Sequence, residues 1–324
     1  MKAIVRDNYG SPDVLELREI EKPAVEDEHV LVRVHATSVN AGDWHSMRGK
    51  PYIFRLMLGG LFKPRTKNAV LGGDLAGRVE AVGGNVTEFQ PGDDVFGMSI
   101  RTFAEYVSVR KVGIVRKPAN LTFEQAAAVP VAAITALQGL RDKGHIRPGQ
   151  KVLINGASGG VGTFAVQIAK SFGADVTAVC SPRNVDMVRS LGADRVIDYT
   201  REDFTRDGQQ YDLIFDVAGN HPFSECRRVL SPNGTLVMVG QSGRKKISIL
   251  PLLTAPLVSR LRRKQKLVSF IAKRNKEDLT LLKELMEAGK VTPVIDRSYS
   301  LREVPEALRY LGEGHARGKL VITV

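Results

Sequence analysis

The sequence predicts a two-part α/β protein: a small, β-rich, barrel-like domain joined to a doubly wound parallel sheet. Residues 1 to about 119 consist of short β-branched runs broken by turn residues. The stretch from Lys151 to Lys170 reads as strand, glycine-rich turn and helix. Beyond it, apolar strands alternate with helices, the pattern of a parallel sheet covered on both faces. With 324 residues and 43% hydrophobic content, the chain has apolar material for two cores.

In the first part, Lys2–Arg6, Val14–Leu17, Val30–Ala36 and Ala76–Val82 are strand-like runs separated by Gly, Pro, Asn and Asp. Gln90-Pro-Gly-Asp-Asp94 signals a turn before Val95–Gly97, and Phe103–Val109 alternates as a strand does. Thr122 and Gln125 have capping-box spacing, so a helix begins there. The Ala-rich passage Ala126–Leu140 is interrupted by Pro130, which kinks or breaks it.

Val152, Leu153 and Ile154 form the apolar run of a strand buried on both faces. Gly156, Gly159, Gly160 and Gly162 follow at once, and Val161, Phe164, Ala165, Ile168 and Ala169 then recur at helical spacing. A second strand, Asp175–Val179, completes the opening of a dinucleotide-binding βαβ unit. Its glycines let backbone N–H groups approach a pyrophosphate at the positive end of the helix. Ala157 stands where the common G-x-G-x-x-G pattern has its first glycine.

A helix over Val185–Leu191 ends at Gly192, and Arg195–Ile197, Tyr211–Val217 and Gly234–Val239 are further strands. Ligands of such sheets bind beyond the strand C-terminal ends. That rule selects Ser158, Gly159, Gly160, Val161, Gly162, Ser181, Arg183, Val217, Ala218, Gly240 and Gln241 as cofactor-binding candidates. A site for NADH usually has an acid about 20 residues past the glycines. Here the strand ends Ala178-Val-Cys-Ser-Pro-Arg183, with a hydroxyl and a guanidinium instead, so NADPH is the expected cofactor. Helices over Leu279–Gly289 and Val304–Leu311 and a strand over Gly318–Val324 close the chain; that last strand could return to either domain.

No apolar run approaches the length of a membrane span, and the N-terminus lacks a signal-peptide apolar region. Cys180 and Cys226 are too few for a disulfide framework or a four-thiolate zinc site. A soluble, reducing, cytoplasmic setting is the expectation. The net charge of +12 is local: eleven cations lie within residues 244–276, which contain no Asp or Glu. Apolar residues are interleaved with them, and Pro251 and Pro256 exclude one continuous helix. The segment reads as a helical flap over the active-site cleft with cationic stems turned outward, as a surface touching anionic membrane, or as a nucleic-acid contact. The last is disfavoured, since Phe270 is the sole aromatic there.

Six ordered stretches carry a resemblance: Ser38–Asp43, Leu71–Val79, Phe103–Tyr106, Val129–Leu137, Asn155–Gly162 and Ala316–Val324. Over nearly its full length the chain resembles the medium-chain dehydrogenase/reductase superfamily, and most of all its zinc-independent quinone oxidoreductase branch, similar to zeta-crystallin. The resemblance implies a GroES-like β-barrel domain over 1–121 and 292–324. It also implies a Rossmann NADP-binding domain over 122–291 carrying the basic insert 244–276, an active site in the cleft between the two, and a homodimer. Zinc enzymes of the superfamily place Cys where this chain has Asn40, and a His-Glu pair where it has Gly73-Asp74. Asp43 and Asp74 alone make a poor zinc site, so no metal is expected.

By the same resemblance, Asn40 contacts the nicotinamide ribose or the acceptor oxygen, and Tyr52 donates to the substrate oxygen. Asp43 joins them as the residue holding the Asn40 loop in shape. Thr135 lies beside the carboxamide, Tyr199 by the adenosine phosphate, and Lys319 among the cofactor contacts. Without a Lewis acid, hydride delivery to a quinone or an α,β-unsaturated carbonyl is less demanding than reduction of a simple ketone, because the acceptor spreads the charge. The expected activity is therefore NADPH-dependent reduction of such acceptors. Alternatives are an enoyl-thioester reductase, and a nucleotide-bound membrane- or RNA-binding protein with vestigial reductase activity.

Overall fold

The computed structural model describes residues 1–52, 55, 60–239 and 265–324. The chain packs as two compact units, one of Met1–Ala132, Arg274–Ala288 and Pro293–Val324, the other of Ala133–Lys273 and Gly289–Thr292.

The first unit opens with β1 (Lys2–Arg6), β2 (Glu16–Glu19), β3 (His29–Val39), α1 (Ala41–Arg48), β4 (Ala69–Val70), β5 (Asp74–Val82), β6 (Asp94–Met98), β7 (Tyr106–Arg110) and β8 (Ile114–Arg116). Then come α2 (Phe123–Ala127) and α3 (Pro130–Gln138), within which this stretch of the first unit ends at Ala132. Thr122 caps α2 as its spacing predicts: its hydroxyl accepts from the Gln125 amide at 3.2 Å, and the Gln125 side chain accepts from the Thr122 amide at 3.0 Å. Thr122→Ala is expected to lower stability by about 1 kcal/mol, read as a shift in the denaturant midpoint at unchanged slope. Pro130 does not kink a continuous helix; it starts a new one, where its missing N–H is no loss.

Helix α1 was not legible as a helix, and Asn40 sits on its N-cap rather than in an open loop. Asp43 closes the first turn by accepting from the Asn40 amide at 2.8 Å. The far end is closed by Gly49 in the left-handed region, φ 57°. There the buried Arg6 guanidinium donates to the Ser46 carbonyl at 2.7 Å and the Met47 carbonyl at 2.8 Å.

The second unit contains β9 (Lys151–Asn155), α4 (Gly160–Ser171), β10 (Asp175–Cys180), α5 (Val185–Ser190), β11 (Arg195–Asp198), β12 (Tyr211–Asp216), α6 (Phe223–Cys226), β13 (Leu230–Met238) and β14 (Lys266–Ser269). They form one six-stranded sheet in the order β11-β10-β9-β12-β13-β14, with every pairing parallel. This is the doubly wound order whose strand direction of growth reverses beside the first strand, β9. Leu153, Val179, Ile197, Ile214 and Leu236 build one core against it.

Strand β14 places one part of the basic segment, Lys266–Ser269, in the sheet rather than in a helix. Lys266 to Ser269 pair in parallel with Thr235 to Met238, so this part of 244–276 is a sheet strand. A short extended run beside a ready-made partner edge satisfies its backbone groups by pairing with it. Residues 244–264 of that segment lie outside the described residues. Among the described residues no helix is long and apolar enough to cross a membrane.

The chain returns to the first unit with α7 (Lys276–Glu287), β15 (Ile295–Ser300), α8 (Val304–Glu313) and β16 (Lys319–Thr323). Asn275 caps α7 by accepting from the Glu277 amide at 2.8 Å. The helix packs beside β8 and belongs to the first unit, although its sequence position adjoins the second. β16 settles the destination of the last strand: it runs antiparallel to β3, with Leu320 opposite Val39 and Ile322 opposite Thr37. The seven-stranded sheet of this unit has β3 at its centre, bonded to β5, β7 and β16.

Candidate functional site

In the second unit the strand C-terminal ends gather the expected nucleotide-binding residues. Gly156 leaves β9 at φ 86°, a conformation that favours glycine. A Cβ on Gly162 would lie 2.1 Å from the Gly156 carbonyl oxygen, so this glycine lets α4 pack against the strand end. Gly159 is different: a Cβ there would meet only the Gly156 oxygen, at 3.6 Å. The protein's own packing does not require glycine at 159. The approach of a ligand to the first amides of α4 gives it a reason, and Ser158 to Val161 are only half-buried.

Neighbouring strand ends complete this surface. The Val217 and Ala218 amides donate to the Asn155 carbonyl at 2.9 and 3.3 Å. Asn155 donates its side-chain amide to Asp216 at 2.9 Å and to the Asn220 side chain at 2.7 Å, tying the end of β9 to that of β12. Asp216 is buried and its second carboxylate oxygen has no protein donor among the described residues. Burial pushes its pKa up, against the Gly219 amide and Asn155, which favour the ionised form. Neither residue was singled out from the sequence; the signal was a polar residue ending each of two apolar strands.

At the end of β10, Ser181 accepts from the Asn184 side chain at 2.9 Å, which fixes its hydroxyl beside the exposed Arg183. Tyr199 follows β11, with its amide on the Cys180 carbonyl at 3.2 Å and its ring exposed. Thus Ser158–Gly162, Ser181, Arg183, Tyr199, Val217 and Ala218 come together along one edge of one sheet. A glycine cradle, a helix N-terminus and a hydroxyl–guanidinium pair fit the pyrophosphate and 2′-phosphate of NADPH. Thr135 is buried on α3; Gly240 and Gln241 lie outside the described residues. Cys180 and Cys226 are buried, with thiols pushed up to about 11 and about 12 by desolvation, and are inert packing groups.

In the first unit Asn40, Asp43 and Lys319 converge with a residue weighed only as a metal ligand, Asp74. Asn40 donates to Asp74 at 2.8 Å and accepts from the Lys319 ammonium at 2.5 Å. Lys319 also donates to the Val39 carbonyl at 3.1 Å and lies 3.4 Å from Asp74. Asp74 is fully buried and Lys319 is 3% exposed. Lys319 is therefore enclosed within its own unit, with its ammonium committed to protein acceptors. Tyr52 is 66% exposed, with the Arg55 guanidinium 4.9 Å from its ring. Among the described residues no three His, Cys, Asp or Glu side chains converge as metal ligands.

Asp43 accepts from the Asn40 and Gly72 amides at 2.8 and 3.2 Å. Burial raises its pKa to about 7, with the neighbouring Asp74 adding to the rise and the two amides and Lys319 opposing it. The folded protein then binds a proton that the unfolded chain has already released, so stability falls as pH rises towards about 7 and levels off above it. Between about pH 6 and 8 the expected loss is about 1.4 kcal/mol. Urea denaturation across that range checks it, because Asp43→Asn flattens this part of the profile.

The chain is similar to known oxidoreductases along nearly its whole length. Residues 26–119 match the alcohol dehydrogenase GroES-like domain and 191–322 the zinc-binding dehydrogenase model. A chloroplastic quinone oxidoreductase of Triphysaria versicolor is 33% identical over 99% of this chain and 98% of its own. An NADPH-dependent alkenal/one oxidoreductase of Arabidopsis thaliana chloroplasts is 32% identical over 99% of this chain and 79% of its own. The solved quinone oxidoreductase of Coxiella burnetii superposes with a TM-score of 0.89 at 31% identity, covering 100% of this chain and 99% of that one.

Proposed function

This chain belongs to the medium-chain dehydrogenase/reductase superfamily, in its zinc-independent quinone oxidoreductase branch, and from that premise we propose that it reduces quinones or α,β-unsaturated carbonyls with NADPH. The observation that carries the reading is the edge of the doubly wound sheet, where a glycine cradle meets Ser181 and Arg183 with no carboxylate at the end of β10.

NADPH supplies the hydride when bound. The chain's part is to hold and orient: Gly159 to Gly162 receive the pyrophosphate, and Ser181 and Arg183 grip the 2′-phosphate. Tyr199 lies by the adenosine side, and Asn40 offers its fixed amide to the ribose or the acceptor. Such an arrangement works by positioning, and the acceptor's own conjugation spreads the developing negative charge. Tyr52, on an exposed loop, is the hydroxyl we propose to meet the acceptor oxygen. Solvent supplies the proton that completes reduction.

The test is purified protein with NADPH and a panel of menadione, cinnamaldehyde and crotonyl-CoA, followed by the loss of NADPH absorbance. Turnover of menadione or cinnamaldehyde supports the reading. Turnover of crotonyl-CoA alone makes the protein an enoyl-thioester reductase. Tight NADPH binding with no turnover, beside salt-sensitive binding to anionic vesicles or RNA, makes it a nucleotide-bound binding protein. We also propose a homodimer joined through the edge of β14, whose one neighbour among the described residues is β13; a monomer in sedimentation equilibrium overturns that.

A further inference from the structure

We infer that Asp74 is the positioning residue of the Asn40 site: its buried carboxylate sets the direction of the Asn40 amide and fastens Lys319 to the same point. One carboxylate oxygen receives the Ser38 hydroxyl, the Asn40 side-chain amide at 2.8 Å and the Lys319 ammonium at 3.4 Å. The other receives the Val131 backbone amide at 2.7 Å, at the start of α3. A carboxylate with four donors and no exposure is committed as an anion's acceptor set.

The consequence falls on Asn40. A primary amide can turn over with little change of shape, exchanging its oxygen and nitrogen. Here the turned form sets nitrogen against the ammonium and oxygen against the carboxylate, two repulsive contacts in a buried place. Asn40 is therefore held in one orientation by two opposite charges brought from β5 and β16. Burying either charge without the other costs stability. The inference deepens the functional reading above, since it rests on Asn40 facing the coenzyme or its acceptor.

Lys319→Met keeps the Asp74–Asn40 contact, while Asp74→Asn/Lys319→Met removes both charges without stranding an ion; comparing them isolates Asp74. Both variants are expected to melt cooperatively and to bind NADPH within about threefold of each other, while the double variant has a kcat with menadione at least about tenfold lower. Binding is read from the fluorescence of NADPH itself. Equal kcat in two folded variants overturns the inference. A second arm needs no variant: in protein labelled with nitrogen-15 at asparagine, the Asn40 side-chain amide protons should exchange slowly with solvent. Exchange as fast as that of an exposed asparagine overturns the inference, even where a variant fails to fold. A wild-type protein with slow exchange but no turnover sinks the functional reading and leaves the positioning role standing.

Discussion

Arg183→Glu is expected to raise the Michaelis constant for NADPH about a hundredfold and that for NADH less than about threefold. Arg183 sits on the short turn Pro182–Asn184 directly after β10, beside a Ser181 hydroxyl steadied by Asn184. In a doubly wound sheet this place faces the adenosine ribose. A hydrogen bond to a charged group contributes about 1.5–3 kcal/mol, and reversing the sign adds repulsion to the loss. NADH carries no 2′-phosphate and feels neither. Steady-state kinetics with menadione, varying each coenzyme, measure the difference. Equal effects on both coenzymes would remove the phosphate from this position.

Gly162→Val is expected to lower the melting temperature by about 10 °C and to abolish NADPH binding. The added carbon would sit 2.1 Å from the Gly156 oxygen and 2.8 Å from the Ala157 backbone. These are main-chain atoms, which give way only if α4 lifts from the end of β9. Gly159→Ala is the matched contrast, because a methyl group there has room. That variant should melt as the wild type does and still bind NADPH at least about tenfold more weakly, the new carbon standing where the pyrophosphate approaches. Thermal melts and coenzyme titration read both. Normal NADPH affinity in Gly159→Ala would place the dinucleotide elsewhere.

Strands β9 to β13 of the parallel sheet were legible as compact apolar runs set between turn segments, as at Val152–Ile154 and Leu213–Phe215. The capping box at Thr122 was legible because its two partners lie three residues apart. Helix α1 was not. Ala41–Arg48 has Gly42, Ser46 and a weak apolar stripe, and it depends on Arg6, distant in sequence, to close its last turn. Strand β14 was hidden among cations and is defined by pairing with a strand some thirty residues earlier. The Asp74–Lys319 contact spans 245 residues. No local spacing carries such a contact, so Asp74 could be weighed from sequence only as a metal ligand.

The depth of the Asp74–Lys319 pair sets how the protein should respond to ionic strength. At physiological salt, mobile ions mask exposed charges beyond about 8 Å, but they do not enter a place where neither partner meets solvent. Arg183, at the surface, lies within their reach. Added potassium chloride should therefore loosen the hold on NADPH progressively, while the rate at saturating coenzyme stays nearly level. Titration of salt at low and at saturating NADPH would read the exterior and the interior of the molecule separately.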